Sequence, residues 1–195
     1  VRELAEGKTL LVEQRVPIGH ITGEADAGGT SDAIIIDAKR KHITVVDLKY
    51  GVGNPVSAQE NPQLQLYALG AIRLCETLAE FDHATMVIHQ PRLNAVSQWE
   101  DVPVSDLERF AEQVSAAGDT TRSAQAKHAD PGVDTTAWQD AYLRPGESAC
   151  KWCKAKAGCP ALTDLVVETT GSATAADFAE FTPEKPNKDT GNNFL

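Results

Sequence analysis

The chain reads as an α/β domain with a central mixed sheet flanked by helices, and three features of the sequence predict it. Ser31-Asp-Ala-Ile-Ile-Ile-Asp37 and His42-Ile-Thr-Val-Val-Asp-Leu48 are β-branched runs separated by the charged turn Lys39-Arg40-Lys41, the pattern of a hairpin. Asn61-Pro62 then opens an apolar helical stretch, with asparagine as N-cap and proline at the first helical position. A further apolar strand candidate follows at residues 84–90. With 195 residues, 42% of them hydrophobic, the chain can build one ordinary core and still carry an appendage or a tail.

In chain order, residues 10–18 are β-prone and precede the hairpin strands at 31–37 and 42–48. Gly51, Gly53, Asn54 and Pro55 break the chain, and a helix is expected over residues 62–79. Beyond the strand at 84–90, Trp99 to Pro103 reads as an edge strand. Ser105-Asp-Leu-Glu108 matches a capping box that opens a helix ending near Gly118. A polar, helix-like stretch passes through Trp138 and Tyr142 to Pro145-Gly146, and Trp99 and Trp138 read as packing residues. The domain plan is therefore a core over residues 1–145, a Cys-rich segment over 146–166, and a tail over 167–195. The tail's Thr, Ser, Ala, Pro, Asn and acidic composition buries too little surface to order itself.

A net charge of -10 and a pI near 4.9 oppose nucleic-acid binding by general electrostatic attraction, which needs clustered Lys and Arg. A local basic patch or a metal-neutralised acidic site remains compatible with that charge. No apolar run approaches the roughly 18 residues that would span a bilayer, and the N-terminus lacks signal-peptide grammar. The chain is expected to be cytoplasmic, without a membrane partner. It opens on Val1 inside a charged, helix-like phrase, so an upstream segment is expected.

Chemistry concentrates between Thr30 and Tyr67. Asp32 and Asp47 lie on adjacent predicted strands and can offer oxygens to a hard divalent cation such as Mg²⁺ or Mn²⁺ if the register pairs them on one face. Lys49, two residues beyond Asp47, shares its face and can handle an attacking water or stabilise developing negative charge. The Leu48 backbone carbonyl between them is a further candidate metal ligand. Gln63 and Tyr67 stand four apart on the predicted helix, so they share a face and can position the scissile region. His42, His83, His89 and His128 are dispersed without ligand spacing, and there is no Walker-type phosphate loop.

The set Gly29-Thr-Ser-Asp32, Asp47-Leu-Lys49 and Gln63-Leu-Gln-Leu-Tyr67 resembles the PD-(D/E)XK nuclease superfamily in its RecB-like branch. The phrases Asp47-Leu-Lys-Tyr-Gly51 and Asn61-Pro-Gln-Leu-Gln-Leu-Tyr-Ala68 resemble a largely uncharacterised RecB-like family carried by phages and prophages. The resemblance implies a restriction-endonuclease-like core and a metal-dependent deoxyribonuclease, most simply an exonuclease in phage recombination or repair. DNA and a phage recombination or replication protein are the implied partners. A non-catalytic RecB-like scaffold that binds DNA or protein is the alternative. RecB-like nucleases add a His or Glu ligand on a helix ahead of the first core strand; of Glu13, His20 and Glu24, the weak candidate here is Glu24.

Cys150-Lys-Trp-Cys153 and Cys159-Pro give C-x2-C-x5-C, three thiolates close enough in sequence to serve one metal centre. The spacing resembles the C-terminal half of the iron-sulfur staple of several RecB-like nucleases, which implies a [4Fe-4S] cluster; Zn²⁺ is the alternative, and a fourth ligand is missing from this segment. Cys75 reads as a buried structural thiol. Lys151, Lys154 and Lys156 interleave with the cysteines and are weak candidates for DNA contact.

Overall fold

The computed structural model describes residues 3–170, and its centre is one five-stranded mixed sheet. Strand β1 (Thr9–Pro17) pairs antiparallel with β2 (Gly28–Asp37), and β2 pairs antiparallel with β3 (His42–Leu48). Strand β3 runs parallel to β4 (His83–Gln90), which pairs antiparallel with β5 (Ala95–Pro103). Strand order thus follows chain order, and the α/β class predicted from the sequence is the observed one. The hairpin forms where the isoleucine and valine runs call for it, with Asp37 opposite His42 and Ile34 opposite Val45. Strand β2 starts three residues earlier than expected: Gly28, Gly29 and Thr30 look like loop in sequence, yet they pair with Pro17, Val16 and Arg15.

Two parallel neighbours need a crossover, and helix α2 (Pro62–Cys75) provides it between β3 and β4. Its N-cap is the predicted Asn61, whose side chain accepts from the Leu64 N–H at 3.2 Å. Leu64, Ala68, Ala71 and Cys75 bury against Ile34, Ile36, Ile43, Val45, Met86 and Ile88 of the sheet. Each fully buried large side chain in that layer contributes about 1.5–3 kcal/mol. The helix stops four residues short of Ala79, because the Leu78 and Ala79 amides both turn back onto the Cys75 carbonyl. On the other face of the sheet, Ala33, Val46 and Val87 are buried with Leu10 beside them, while Val12, Leu48 and Val96 are exposed.

Helix α1 (Gly19–Thr22) is a single turn in the β1–β2 connection, and α3 (Val104–His128) follows β5. The predicted capping box does not form. The helix begins one residue before Ser105, the Val104 N–H is satisfied by the Asp82 carbonyl, and the Ser105 hydroxyl turns to Asp106. Nor does Gly118 end the helix. A Cβ there would lie 2.9 Å from the Thr22 carbonyl oxygen, so the glycine marks a close approach to the β1–β2 connection, which Arg122 then ties down by donating to the same carbonyl.

The chain divides into two compact units, Val1–Ser123 and Ala124–Leu195, with the division inside α3 rather than at the residue 145/146 boundary expected from the sequence. In the second unit, α4 (Thr135–Tyr142) is capped by Asp134, and the Trp138 indole donates to the Ala124 carbonyl at 2.9 Å with its ring 4.7 Å from that of His128. Helices α5 (Glu147–Lys151) and α6 (Pro160–Thr170) bracket the cysteine segment. The sequence places the start of the tail at residue 167. Residues 167–170 instead complete α6, and the remainder of the predicted tail lies outside the described residues.

His42, at the start of β3, carries a pH consequence. Its Nε2 lies 3.0 Å from the Thr85 hydroxyl, and burial, with Arg40 and Lys8 nearby, pushes its pKa below the ordinary 6.5 against the opposing pull of Asp101 and Asp37. The unfolded chain therefore binds this proton more readily. The contribution is complete above pH 6.5 and is lost as pH falls through the lower folded value. Urea unfolding of the native chain should lose midpoint between pH 7 and pH 5 more steeply than that of His42→Gln, roughly the range in which histidine titrates; parallel pH profiles would refute the assignment.

Candidate active site

The β2–β3 ladder ends with Ala33 opposite Val46, and Asp32 and Asp47 are the next residue on each strand, just beyond the last paired rung. Strand alternation puts Asp47 on the face of Val45, which α2 covers, whereas Asp32 lines a cavity with Leu10, Val12, Ala33, Val46 and Leu48 of the opposite face. The sequence asks that the register pair the two carboxylates, and the ladder stops one rung short of them. Asp32 Oδ2 accepts from the Leu48 N–H at 2.6 Å, so a side chain takes over the ladder bond where β3 ends. The N–H and C=O of one extended residue point to the same side, which turns the Leu48 carbonyl toward the β2 side where Asp32 lies.

Asp47 is 5% exposed at the far end of β3, and it is held from two directions. Lys49 Nζ lies 3.0 Å from Asp47 Oδ2 and donates to Gln63 Oε1 at 3.1 Å, while Gln63 Nε2 donates to Asp47 Oδ1 at 3.3 Å. The three groups form a closed triangle across β3 and the first turn of α2. Asp47 Oδ2 is buried without a hydrogen bond, its near neighbour being the Lys49 ammonium in an ion pair. A buried carboxylate oxygen that makes no hydrogen bond and is balanced by an ammonium suits a hard divalent cation that keeps most of its ligands as water or substrate oxygens. Asp32, Asp47 and the Leu48 carbonyl would hold it. Among the described residues, no three His, Cys, Asp or Glu side chains come together as a metal-ligand set.

Tyr67 follows Gln63 by one helical turn, and its hydroxyl makes no hydrogen bond with that triangle. Its ring instead lies over Gly29: a Cβ there would stand 2.4 Å from Tyr67 Cε1 and 2.7 Å from its hydroxyl oxygen. The glycine three residues ahead of Asp32 is therefore the seat of the tyrosine ring. Glu24 is not brought to the site. It is exposed in the β1–β2 connection beyond Gly28, and Gly28 is already four residues along β2 from Asp32, roughly 13 Å of strand.

Sequence reasoning missed what holds the approach to α2. Gln90, 4% exposed, accepts from the Val56 N–H at 2.7 Å and donates to the Asn54 carbonyl at 3.3 Å, and the Ser97 hydroxyl accepts from the Ala58 N–H at 2.9 Å. These bonds fix residues 54–58, which deliver Gln63 to Asp47. The available signal was a lone glutamine closing the apolar run at 84–90.

In the second unit, Cys150 sits on α5, Cys153 in the turn after it, and Cys159 just ahead of α6. Cys150 Sγ accepts from the Gly146 N–H at 3.4 Å, Cys153 is exposed, and the other two are partly exposed. Lys151, Lys154 and Lys156 are exposed on the same segment, with Lys151 Nζ 5.4 Å from the Trp152 ring centroid. Cys75 differs: it is 1% exposed on the core face of α2, and burial pushes its thiol pKa up. A maleimide pulse on the folded, reduced protein should label Cys150, Cys153 and Cys159 and spare Cys75 until denaturant is added, as read by peptide mass mapping. Labelling of Cys75 at the rate of Cys153 would contradict its placement.

A solved structure described as "Crystal structure of SSO0001" resembles this fold at 16% sequence identity and a TM-score of 0.33; the match covers 82% of this chain and 65% of that one. This chain thus spans just under two thirds of that protein's length, and a likeness of this size carries no argument. The family model for "Protein of unknown function (DUF2800)" matches residues 1–187, nearly the whole of the 195-residue chain, and the chain belongs to the DUF2800 family.

Proposed function

We propose that this protein is a metal-dependent deoxyribonuclease that hydrolyses DNA phosphodiester bonds at Asp32, Asp47, Lys49, Gln63 and Tyr67. The observation that carries the reading is Asp47 Oδ2, buried without a hydrogen bond and 3.0 Å from Lys49 Nζ, with Gln63 on its other oxygen and Asp32 bonded to the neighbouring Leu48 N–H. Mg²⁺ or Mn²⁺ held by the carboxylates would supply Lewis-acid stabilisation of the phosphate. Lys49 points its ammonium at the same oxygens, where it orients the attacking water and balances negative charge on the phosphate. Gln63 fixes both Lys49 and Asp47, and Tyr67, one helical turn further on with its ring over Gly29, carries a hydroxyl that makes no hydrogen bond among the described residues. The motif resemblance to RecB-like nucleases supports the same residues in the same roles. Exonuclease action in phage recombination or repair, with a phage recombination or replication protein as partner, is the finer form of the proposal.

The same resemblance supports a [4Fe-4S] cluster, with Zn²⁺ as the alternative, at Cys150, Cys153 and Cys159 plus a fourth ligand from elsewhere. One observation favours a non-catalytic DNA- or protein-binding scaffold instead: Asp32 already spends Oδ2 on the Leu48 N–H. Incubation with linear and covalently closed circular DNA in Mg²⁺, Mn²⁺ or EDTA separates the readings. Metal-dependent loss of linear DNA that disappears in Asp32→Ala supports the exonuclease, whereas no cleavage with either metal, or equal cleavage by the variant, refutes it.

A further inference from the structure

On the flank of α2 away from Gln63, a cleft of about 470 Å³ is lined by Glu60, Gln65, Trp99, Asp106, Arg109 and Phe110. We propose that this cleft receives a single unstacked nucleobase of a DNA strand, read on its hydrogen-bonding edge by Gln65 and packed against Trp99 and Phe110. The proposal rests on the nuclease reading above and adds to it a substrate-recognition subsite.

Gln65 is the observation that points to a ligand. It is 6% exposed and lines the cleft, yet its side-chain amide makes no hydrogen bond within the protein; the residue's bond to Asn61 is a backbone one. Neither amide atom is sealed from solvent, so both open on the cleft, where a ligand's polar edge can take the place of water. The Trp99 indole N–H, half-buried on the same cleft, is likewise without a protein partner. Two donors and an acceptor on Gln65 and a donor on Trp99 thus surround a space walled by two aromatic side chains. A primary amide offers a donor and an acceptor side by side, and that pair matches the N6/N7 edge of adenine bidentately. Flat aromatic surfaces supply the stacking by which proteins hold splayed bases.

Charge argues for a base rather than a run of phosphates. Glu60 and Asp106 outnumber Arg109, whose guanidinium already pairs with Asp106 at 2.7 Å. Recognition through a base also answers the net charge of -10, which opposes affinity built on general attraction to phosphates. The position suits the chemistry. Gln65 stands between Gln63 and Tyr67 in sequence, and two residues turn a helix by about 200°, so the base cleft and the carboxylate site flank the same first turns of α2.

The full chain in EDTA, where no cleavage occurs, can be titrated with deoxyadenosine monophosphate and with a single-stranded oligonucleotide carrying 2-aminopurine or an abasic residue at one position. Saturation transfer from protein to base protons, quenching of 2-aminopurine, and weakened binding of the abasic strand are expected. Gln65→Met, which keeps the side chain's volume, should weaken base binding about 10-fold, the effect of one bidentate base contact. Trp99→Phe, which keeps a ring but removes the N–H, should weaken it less; it serves as the second variant if Gln65→Met does not fold. Binding of the monophosphate but not the strand overturns the DNA source in favour of a free nucleotide. Unchanged base binding in both variants, or equal affinity for the abasic strand, overturns the cleft. Base binding that persists in a chain with no metal-dependent cleavage refutes the nuclease reading alone, whereas cleavage with unchanged binding in Gln65→Met refutes only the cleft.

Discussion

Replacing Asp47 by alanine is expected to bring metal-dependent DNA hydrolysis to background, and replacing Lys49 by methionine to lower kcat by about 10²–10⁴-fold, for different physical reasons. On the proposed reading Asp47 offers the buried oxygen to a cation, so Asp47→Ala should lose Mn²⁺ binding in a calorimetric titration. Lys49→Met keeps both carboxylates and removes the ammonium 3.0 Å from Asp47 Oδ2, so it should bind Mn²⁺ at least as well as the native chain. The two variants thus separate metal retention from water handling. Stability gives a second readout. Without Lys49, a carboxylate whose side chain is 7% exposed loses its cation, which costs about 1–3 kcal/mol in metal-free buffer. The 35% exposure of the Lys49 side chain places the loss toward the low end, since water already screens that pair. Mn²⁺ should then raise the melting temperature of Lys49→Met more than that of the native chain. If Lys49→Met turns over at the native rate, or loses Mn²⁺ with Asp47→Ala, the lysine has a different role.

What was legible in the sequence depended on how local its cause is. The hairpin over β2 and β3 is written in two β-branched runs and a charged turn, and its period of two fixed which residues share a face, so Asp47 and Lys49 could be grouped before any contact was known. Asn61-Pro62 set the start of α2 for the same local reason. Two of the misreadings involve partners distant in sequence. Gly118 reads as a helix terminator until Thr22, a hundred residues away by the Arg122 bond, occupies the space of its missing side chain. Ser105 reads as an N-cap until Asp82 satisfies the first helical amide from another loop. The same holds in the candidate site. Gln63 was placed on the correct face by spacing, but Gln65 could not be separated from an ordinary helix residue, because its lack of a partner is a property of the cleft that Trp99 and Phe110 bring to it.

Gly29 is the position where packing and activity meet, and Gly29→Ala is expected to lower DNA hydrolysis to the level of Tyr67→Ala while leaving the sheet intact. The added Cβ would lie 2.4 Å from Tyr67 Cε1 and 2.7 Å from its hydroxyl oxygen, too close for the ring to stay. The colliding atoms are the far end of a rotatable side chain rather than backbone, so the tyrosine moves and β2 does not. Gly70 offers the contrast on the same helix. There a Cβ meets Val16 Cβ at 2.9 Å and the Pro17 carbonyl oxygen at 3.0 Å, and α2 itself must shift, so Gly70→Ala should show chiefly as lost stability, about 1–3 kcal/mol for an overpacked core. A double-mutant cycle separates displacement of the ring from other damage. If Gly29→Ala acts only by unseating Tyr67, adding it to Tyr67→Ala changes kcat no further, because the truncated side chain leaves room for the methyl group. A double variant that loses the product of the two single effects would show that the glycine serves something other than the tyrosine, and native activity in Gly29→Ala would show that the ring's seat over β2 is not part of catalysis.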